Sequence, residues 1–296
     1  MSAFSAIDLA RLPAPDLVET LDYEAIFAAA RSDLAAQWPE FDALVESEPA
    51  VKVLQAFAYR ELLLRQRIND AARQTMLAFA TGGNLDHIAA LFGVARLVAT
   101  PADPDAVPPV AAVMEDDARL RARVQLAPEA ATGAGTAGSY AAHAYAADVR
   151  VADVSVTSPY PGKVDVHLIS TEGDGVAPAE LVDLVWTRLR SDEVRALCDT
   201  VSVFPAVVVP YAVEARLQMR EGAGAEAALA AAADALEAWT AAQFRIGRGV
   251  ARSGLYAALH VEGVARVILD APVADVAVGP AEVARPTGLS VGLADA

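Results

Sequence analysis

Residues 49–94 read PAVKVLQAFAYRELLLRQRINDAARQTMLAFATGGNLDHIAALFGV, and their spacing sets the fold of the N-terminal third. Ser47 and Glu48 before Pro49 form a helix-start signal, and neither glycine nor a further proline interrupts the pattern until Gly82-Gly83. The stretch predicts one helix of roughly 45–50 Å at ~1.5 Å per residue. At ~100° per residue, Val51, Leu54, Ala58, Leu62, Ala72, Met76 and Phe79 fall on one stripe, and Phe57, Leu64, Ile68, Ala71 and Thr75 on the stripe beside it. About half of the circumference is therefore apolar, more than a helix packed on one side of its own domain needs. Neighbours on two sides are expected, some of them other chains. Glu61, Arg65 and Asn69, spaced four apart, interrupt this face. They form either a local ion pair worth about 0.3–0.5 kcal/mol or a polar insert that fixes register and partner choice at some cost in stability.

The segment Ala58–Ala72 (AYRELLLRQRINDAA), followed by Asn84–Val94 (NLDHIAALFGV), resembles the baseplate J-like family, the wedge proteins of contractile-tailed bacteriophages. Later segments agree in the same order: Asp117–Arg121 (DARLR) through Leu126–Glu129 (LAPE), Ala137–Tyr140 (AGSY), Val154–Pro159 (VSVTSP) with Pro161–Val164 (PGKV), and Ser253–His260 (SGLYAALH). The resemblance spans nearly the whole chain and rests on several ordered matches, not on a chemical signature. It implies a structural component of the baseplate of a phage, prophage or tailocin, made in the host cytoplasm and carried in the virion or particle. It further implies a homodimer whose N-terminal helices bundle with a smaller tail protein. The C-terminal domains would link neighbouring wedges into a ring around the spike or hub, meet sheath-initiating proteins and help trigger sheath contraction. The assembly residues expected on this reading are Leu54, Phe57, Ala58, Glu61, Leu62, Leu64, Arg65, Ile68, Asn69, Ala72, Met76 and Phe79 on the long helix, with Tyr140 and Tyr256 in the C-terminal domains.

Composition narrows the partners. A chain of 296 residues exceeds the usual single core, so two or three domains are expected. A net charge of −16 argues against nucleic acid or an anionic membrane as the main partner, since both would repel it. One cysteine, Cys198, excludes an internal disulfide framework. The opening MSAFSAIDLARLPAPD carries Asp8 and no continuous apolar run, unlike a secretory signal. The longest uncharged apolar run, Thr200–Val213, is interrupted by Pro205 and Pro210, so membrane insertion is not expected.

Along the chain, Asp16–Trp38 reads as a helix with Leu17, Leu21, Ile26, Phe27 and Leu34, and Asn84 reads as the cap of a short helix closed by Gly93. Residues 1–98 thus form a helical region, and residues 99–115, containing TPADPDAVPP, form a proline-rich linker. A first α+β domain is expected over 116–207. It holds helices at Asp116–Leu126 and Ser139–Ala147, alternating strands at Val151–Thr157 and Val164–Ser170, a helix from Pro178 to Arg190 and a strand at Val201–Val209. A second is expected over 208–296, with a strand at Tyr211–Met219 and an alanine-rich helix at about 223–244. There Ser253–His260 leads into Val264, Val267 and Leu269 much as Ser139–Ala142 leads into Val151, Val154 and Val156, so a helix followed by a hairpin is expected twice. The fold class is α+β and multidomain: an N-terminal helical region with one long helix, followed by two small α/β sandwich domains.

Catalytic chemistry finds little support. Gly133-Ala134-Gly135-Thr136-Ala137-Gly138 matches G-x-G-x-x-G, but it follows a helix end and Pro128 where dinucleotide binding needs a strand. The acidic residue expected about 20 positions on is not cleanly present either, since Asp153 falls on a hairpin. His87, His143, His167 and His260 are scattered, with no His or Cys at metal-ligand spacing. Ser139 and Ser253 lack a nucleophile-elbow setting, and Cys198 has no nearby histidine. No catalytic, cofactor or metal residue is assigned, and the protein reads as a structural protein and not an enzyme. The alternatives are a nucleotide-binding enzyme using the Gly133–Gly138 loop and a free protein–protein adaptor.

Overall fold

The computed structural model describes residues 7–13, 21–40, 48–133, 135–220 and 224–294. Among them are eight α-helices and three small sheets, a multidomain α+β architecture with a helical N-terminal region. The described residues up to Arg96 pack with Asp116–Val124 as one compact unit, and Leu97–Glu115 with Gln125 onward form the other.

In the helical unit, α1 (Tyr23–Gln37) starts where the Asp22 carboxylate accepts from the Glu24 and Ala25 N–H groups at 2.9 and 3.2 Å. The earlier start expected at Asp16, with Leu17, lies outside the described residues, as does Ser47. α1 buries Ile26 and packs along α2 (Pro49–Arg73). Pro49 occupies the first turn, where its missing N–H leaves no bond unmade.

The helix does not continue to Phe79. It stops after Arg73, at 25 residues and therefore ~38 Å. The Thr75 hydroxyl donates to Ala72 O at 2.7 Å, and Gln74 Oε1 accepts from Thr81 N at 2.9 Å and Asn84 Nδ2 at 3.1 Å. From far along the chain, the Arg121 guanidinium donates to Leu77 O and Ala80 O at 2.7 and 2.8 Å. Side chains thus satisfy groups that a continuing helix would pair internally. α3 (Gly82–Leu91) has Thr81, not Asn84, at its N-cap, and the Gly82 N–H donates to Asp117 Oδ2 at 3.0 Å. Asp117 also pairs with Arg96 at 2.7 Å; the Gly82 bond first, and Arg96 after it, hold its carboxyl below the usual range. Ala80, Leu85, Ala89, Leu120 and Val124 close this unit's core.

In the other unit, β1 (Val98–Thr100) pairs antiparallel with β2 (Val113–Met114), and Asp103 bridges Val110. The proline-rich segment is thus a two-stranded arm with Val98, Val110 and Val113 exposed. α4 (Asp117–Ala130), whose first turns belong to the helical unit, runs through Pro128 instead of ending at Leu126. Only its last turn lies beyond that proline, so the helix forgoes one bond there.

The first module comprises α5 (Ala137–Tyr145), β3 (Val151–Thr157), β4 (Lys163–Ser170), α6 (Ala179–Leu189) and β5 (Thr200–Pro205). Its strand order is β3-β4-β5, antiparallel then parallel, with Val166 opposite Val203. Period two buries Val164, Val166 and Leu168 on one face of β4. Leu181, Val185 and Leu189, four apart on α6, belong to the same core. The strand expected over Val201–Val209 divides at Ala206, whose N–H donates to Leu168 O at 2.8 Å.

Beyond that break, β6 (Val207–Met219) enters another sheet, with α7 (Ala225–Gln243), α8 (Arg252–Leu259), β7 (Val264–Ala271) and β8 (Glu282–Leu293) completing the second module. Here the expected repeat fails. α8 leads into β7, but β6 lies between β7 and β8, antiparallel to the first and parallel to the second. Between β7 and β8, Val276 bridges Val250. β6 alternately buries Tyr211, Val213, Ala215 and Leu217, which suits a central strand.

The modules join through a small cluster of Ile169, Ala206 and Val283 with Phe244 and Ile246 against it. Beside it, the Asp153 carboxylate accepts from the Tyr145 hydroxyl at 2.7 Å and from the Ile246 N–H at 2.8 Å. Burial, and then Asp153, raise the Tyr145 hydroxyl pKa; burial pushes Tyr140 and Tyr211 up to about 12. Unfolded tyrosines ionise near pH ~10. The unfolded chain therefore releases these protons first, and stability is present below that pH and lost as pH rises above it. Alkaline unfolding followed by circular dichroism is expected to set in there. Tyr145→Phe should cost about 1–2 kcal/mol at neutral pH through the lost bond and flatten the alkaline loss. Stability as steep in the variant as in wild type would contradict this assignment.

Candidate assembly surface

α2 carries two unlike faces. Val51 and Ala58 are buried, and Leu54, Leu62, Arg65, Asn69 and Ala72 are partly buried, forming the covered side. Beside them, roughly 100° around the helix, Phe57 (66% exposed), Leu64 (60%) and Ile68 (54%) stand in water with Val53. At ~100° per residue these four lie within about 60° of one another. The broad apolar circumference is thus divided between an inner stripe and a bare outer one. Met76 and Phe79 sit partly buried in the turns after α2 and do not extend either stripe.

Within this helix Glu61 and Arg65 form a local ion pair, Oε1 to Nη2 at 2.6 Å and to Nε at 3.0 Å. Asn69 lies on the same side and is partly buried. Val53, Tyr59 and Leu63 were not among the expected assembly residues, yet all three are exposed, as are Leu91 and Phe92 at the end of α3. Val53 was legible as the position four before Phe57. Leu91 and Phe92 were not, because periodicity alone placed them in a short amphipathic helix.

The two tyrosines differ. Tyr140 is 1% exposed, a core residue of the first module; its hydroxyl donates to Asp199 Oδ2 at 2.8 Å and accepts from the Ala196 N–H at 3.3 Å. Tyr256 is 37% exposed on α8, with the Arg252 guanidinium 5.8 Å from its ring centre. Tyr256 can meet another chain; Tyr140 can act only by holding its module together.

The glycine loop lies between α4 and α5, with no strand before it. Ala134 lies outside the described residues. Gly135 has φ +64°, and a Cβ there would come 2.9 Å from both Ala196 Cβ and Asp199 Oδ2; one at Gly138 would meet the Glu129 carboxylate. These glycines therefore let the loop close on its own module. Gly135→Val is expected to cost about 2–4 kcal/mol through backbone strain and overpacking, read as a lowered melting temperature. Calorimetry of the wild-type chain with NAD, NADP or ATP is expected to give no saturable heat. One binding site per chain, lost in Gly135→Val without loss of fold, would restore the nucleotide reading.

A cleft between the modules is lined by Ser170, Asp174, Glu237, Thr240 and Arg285 among others. The Ser170 hydroxyl accepts from Glu172 N, the Thr240 hydroxyl donates to Glu237 O, and Arg285 donates to Gly173 O at 3.4 Å. Its polar groups serve the loops and helix that form it. Among the described residues no group of three or more His, Cys, Asp or Glu side chains could hold a metal ion, and no helix is long and apolar enough to cross a membrane.

Residues 46–103 match the Baseplate J-like N-terminal domain, and residues 211–292 match the Baseplate J-like protein C-terminal domain. The first span contains all of α2 and α3, and the second nearly all of the second module. Baseplate protein J of Escherichia phage P2 is similar over 277 residues at 46% identity, covering 91% of this chain and 92% of that protein.

Proposed function

The chain belongs to the baseplate J-like family, and from that premise we propose that it is a wedge component of a contractile tail baseplate, built into the particle through the bare face of α2. As a member of that family it is a structural protein of the phage baseplate and a virion component, not an enzyme. The finer reading adds three parts. The helical region, taken as residues 1–98, bundles with a smaller tail protein and with a second copy of the chain. The α+β modules, taken as 116–207 and 208–296 beyond a linker at 99–115, contact neighbouring wedges around the hub, with Tyr256 on such a surface. The ring so formed has two interface arrangements, and receptor contact shifts it from one to the other as the sheath is released. A tailocin or prophage particle would use the same device.

The observation that carries this reading is the exposed stripe of Phe57, Leu64 and Ile68 on a helix already packed along its adjacent face. Contiguous apolar surface of this kind marks a protein interface more often than a solvated face. Co-expression with the smaller tail protein of the same particle should give a stoichiometric complex in size-exclusion chromatography and light scattering. A well-behaved monomer at high concentration that ignores that protein would count heavily against the seam.

A further inference from the structure

We infer that the occupant of the outer α2 stripe is an amphipathic helix of another protein whose apolar stripe is flanked by carboxylates. The inference rests on the reading of α2 as an assembly seam. α2 holds Lys52, Arg60, Arg65, Arg67 and Arg73 against only Glu61 and Asp70, a net charge of +3 on a chain of −16. Arg65 is neutralised by Glu61, and Arg73 approaches Asp70 at 3.9 Å. Arg60 and Arg67 are exposed, and neither makes an ion pair among the described residues. Seven positions apart, they fall two turns from each other along one edge of the stripe, next to Leu63 and Leu64. Their guanidinium groups therefore flank whatever covers those leucines.

This edge decides between occupants. Two copies of α2 laid antiparallel and stripe to stripe would bring Arg60 and Arg67 of one against those of the other, and like charges across a helix seam are destabilising; laid parallel, the arginine edge would face the opposite edge of the partner stripe, where the Glu61 carboxylate is already held by Arg65. A neutral apolar helix would cover the leucines but leave both guanidinium groups at the rim without partners. A helix with Glu or Asp beside its apolar stripe satisfies both features, and bidentate pairing suits arginine better than lysine.

The test uses the full chain and fluorescent synthetic helices of about 25 residues, the length of α2, with one leucine stripe flanked by Glu, Gln or Lys. Anisotropy titration should give the Glu-flanked helix roughly tenfold tighter binding than the Gln-flanked one at low salt, with that advantage shrinking as salt is raised. The Lys-flanked helix should not saturate. Arg60→Glu with Arg67→Glu, checked for unchanged circular dichroism, should reverse the preference toward the Lys-flanked helix. Equal binding of the Glu- and Gln-flanked helices, or an unchanged preference in the double variant, overturns the inference. So does a wild-type homodimer that Leu64→Asp dissociates and the Glu-flanked helix cannot. Leu64→Asp separates the two levels of reading. If it leaves binding of the Glu-flanked helix intact, the seam itself is misplaced; if it abolishes binding while the flanks make no difference, only the acidic partner is wrong.

Discussion

Leu64→Asp is expected to yield a folded chain that no longer assembles. Leu64 is largely in water on the outer face of α2, so in the free chain the new carboxylate stays hydrated and stability changes by no more than about 0.5 kcal/mol. In a closed seam the same carboxylate is stripped of water where a leucine packed, and any pairing it gains with Arg60 or Arg67 takes those guanidinium groups from the incoming helix, a cost of several kcal/mol and thus on the order of a hundredfold or more in affinity. Leu62→Asp should behave differently. That side chain is partly buried on the covered side, so the charge destabilises the chain itself, by about 1–3 kcal/mol. Glu61→Ala removes one exposed ion pair of 2.6 Å and should cost only about 0.3–0.5 kcal/mol. Melting curves and incorporation into particles give the two orderings. If Leu64→Asp assembles as wild type does, α2 is not the seam.

Tyr140→Ala carries the largest expected loss of stability. It empties a fully buried ring from the first module and leaves Asp199 and the Ala196 N–H without their partner. The expected cost is about 3–5 kcal/mol, a fall in melting temperature on the order of 10 °C. Tyr140→Phe keeps the ring and loses only the hydroxyl bonds, about 1–2 kcal/mol. Neither change should alter how the folded remainder assembles, whereas Tyr256→Ala should do little to melting. A Tyr140→Ala chain that melts normally yet fails to assemble would return Tyr140 to the interface.

Much of the fold was legible because local rules dominate where elements are short and their neighbours close in sequence. The strands Val151–Thr157 and Lys163–Ser170 were readable from period two and the Pro159–Gly162 turn between them; pairing of adjacent strands needs no distant information. α6 followed Pro178 as expected, because Leu181, Val185 and Leu189 repeat at helical spacing. The two stripes of α2 were also legible, since both arise from residues of one helix.

The features that escaped the sequence depend on residues far away. α2 ends at Arg73 because Gln74 and Arg121 take up the polar groups of the following turns, and Arg121 lies 44 positions from Leu77. The helix-plus-hairpin repeat was plausible locally, but β6 inserts between β7 and β8, and strand order is set by which edges find partners across the whole module. Tyr140 read as a surface marker because a tyrosine looks alike at a core and at an interface; its burial against Asp199 appears only when the loop near residue 196 closes over it.

The sequence by itself determined the family, the α+β class, the acidic surface and the double apolar face of α2, because each depends on composition or on spacing within one element. The tertiary structure decided which half of that face is already covered, where the helix stops and which strand occupies the centre of the second sheet. Those outcomes are set by hydrogen bonds and packing between residues tens of positions apart, and periodicity along the chain carries no record of them.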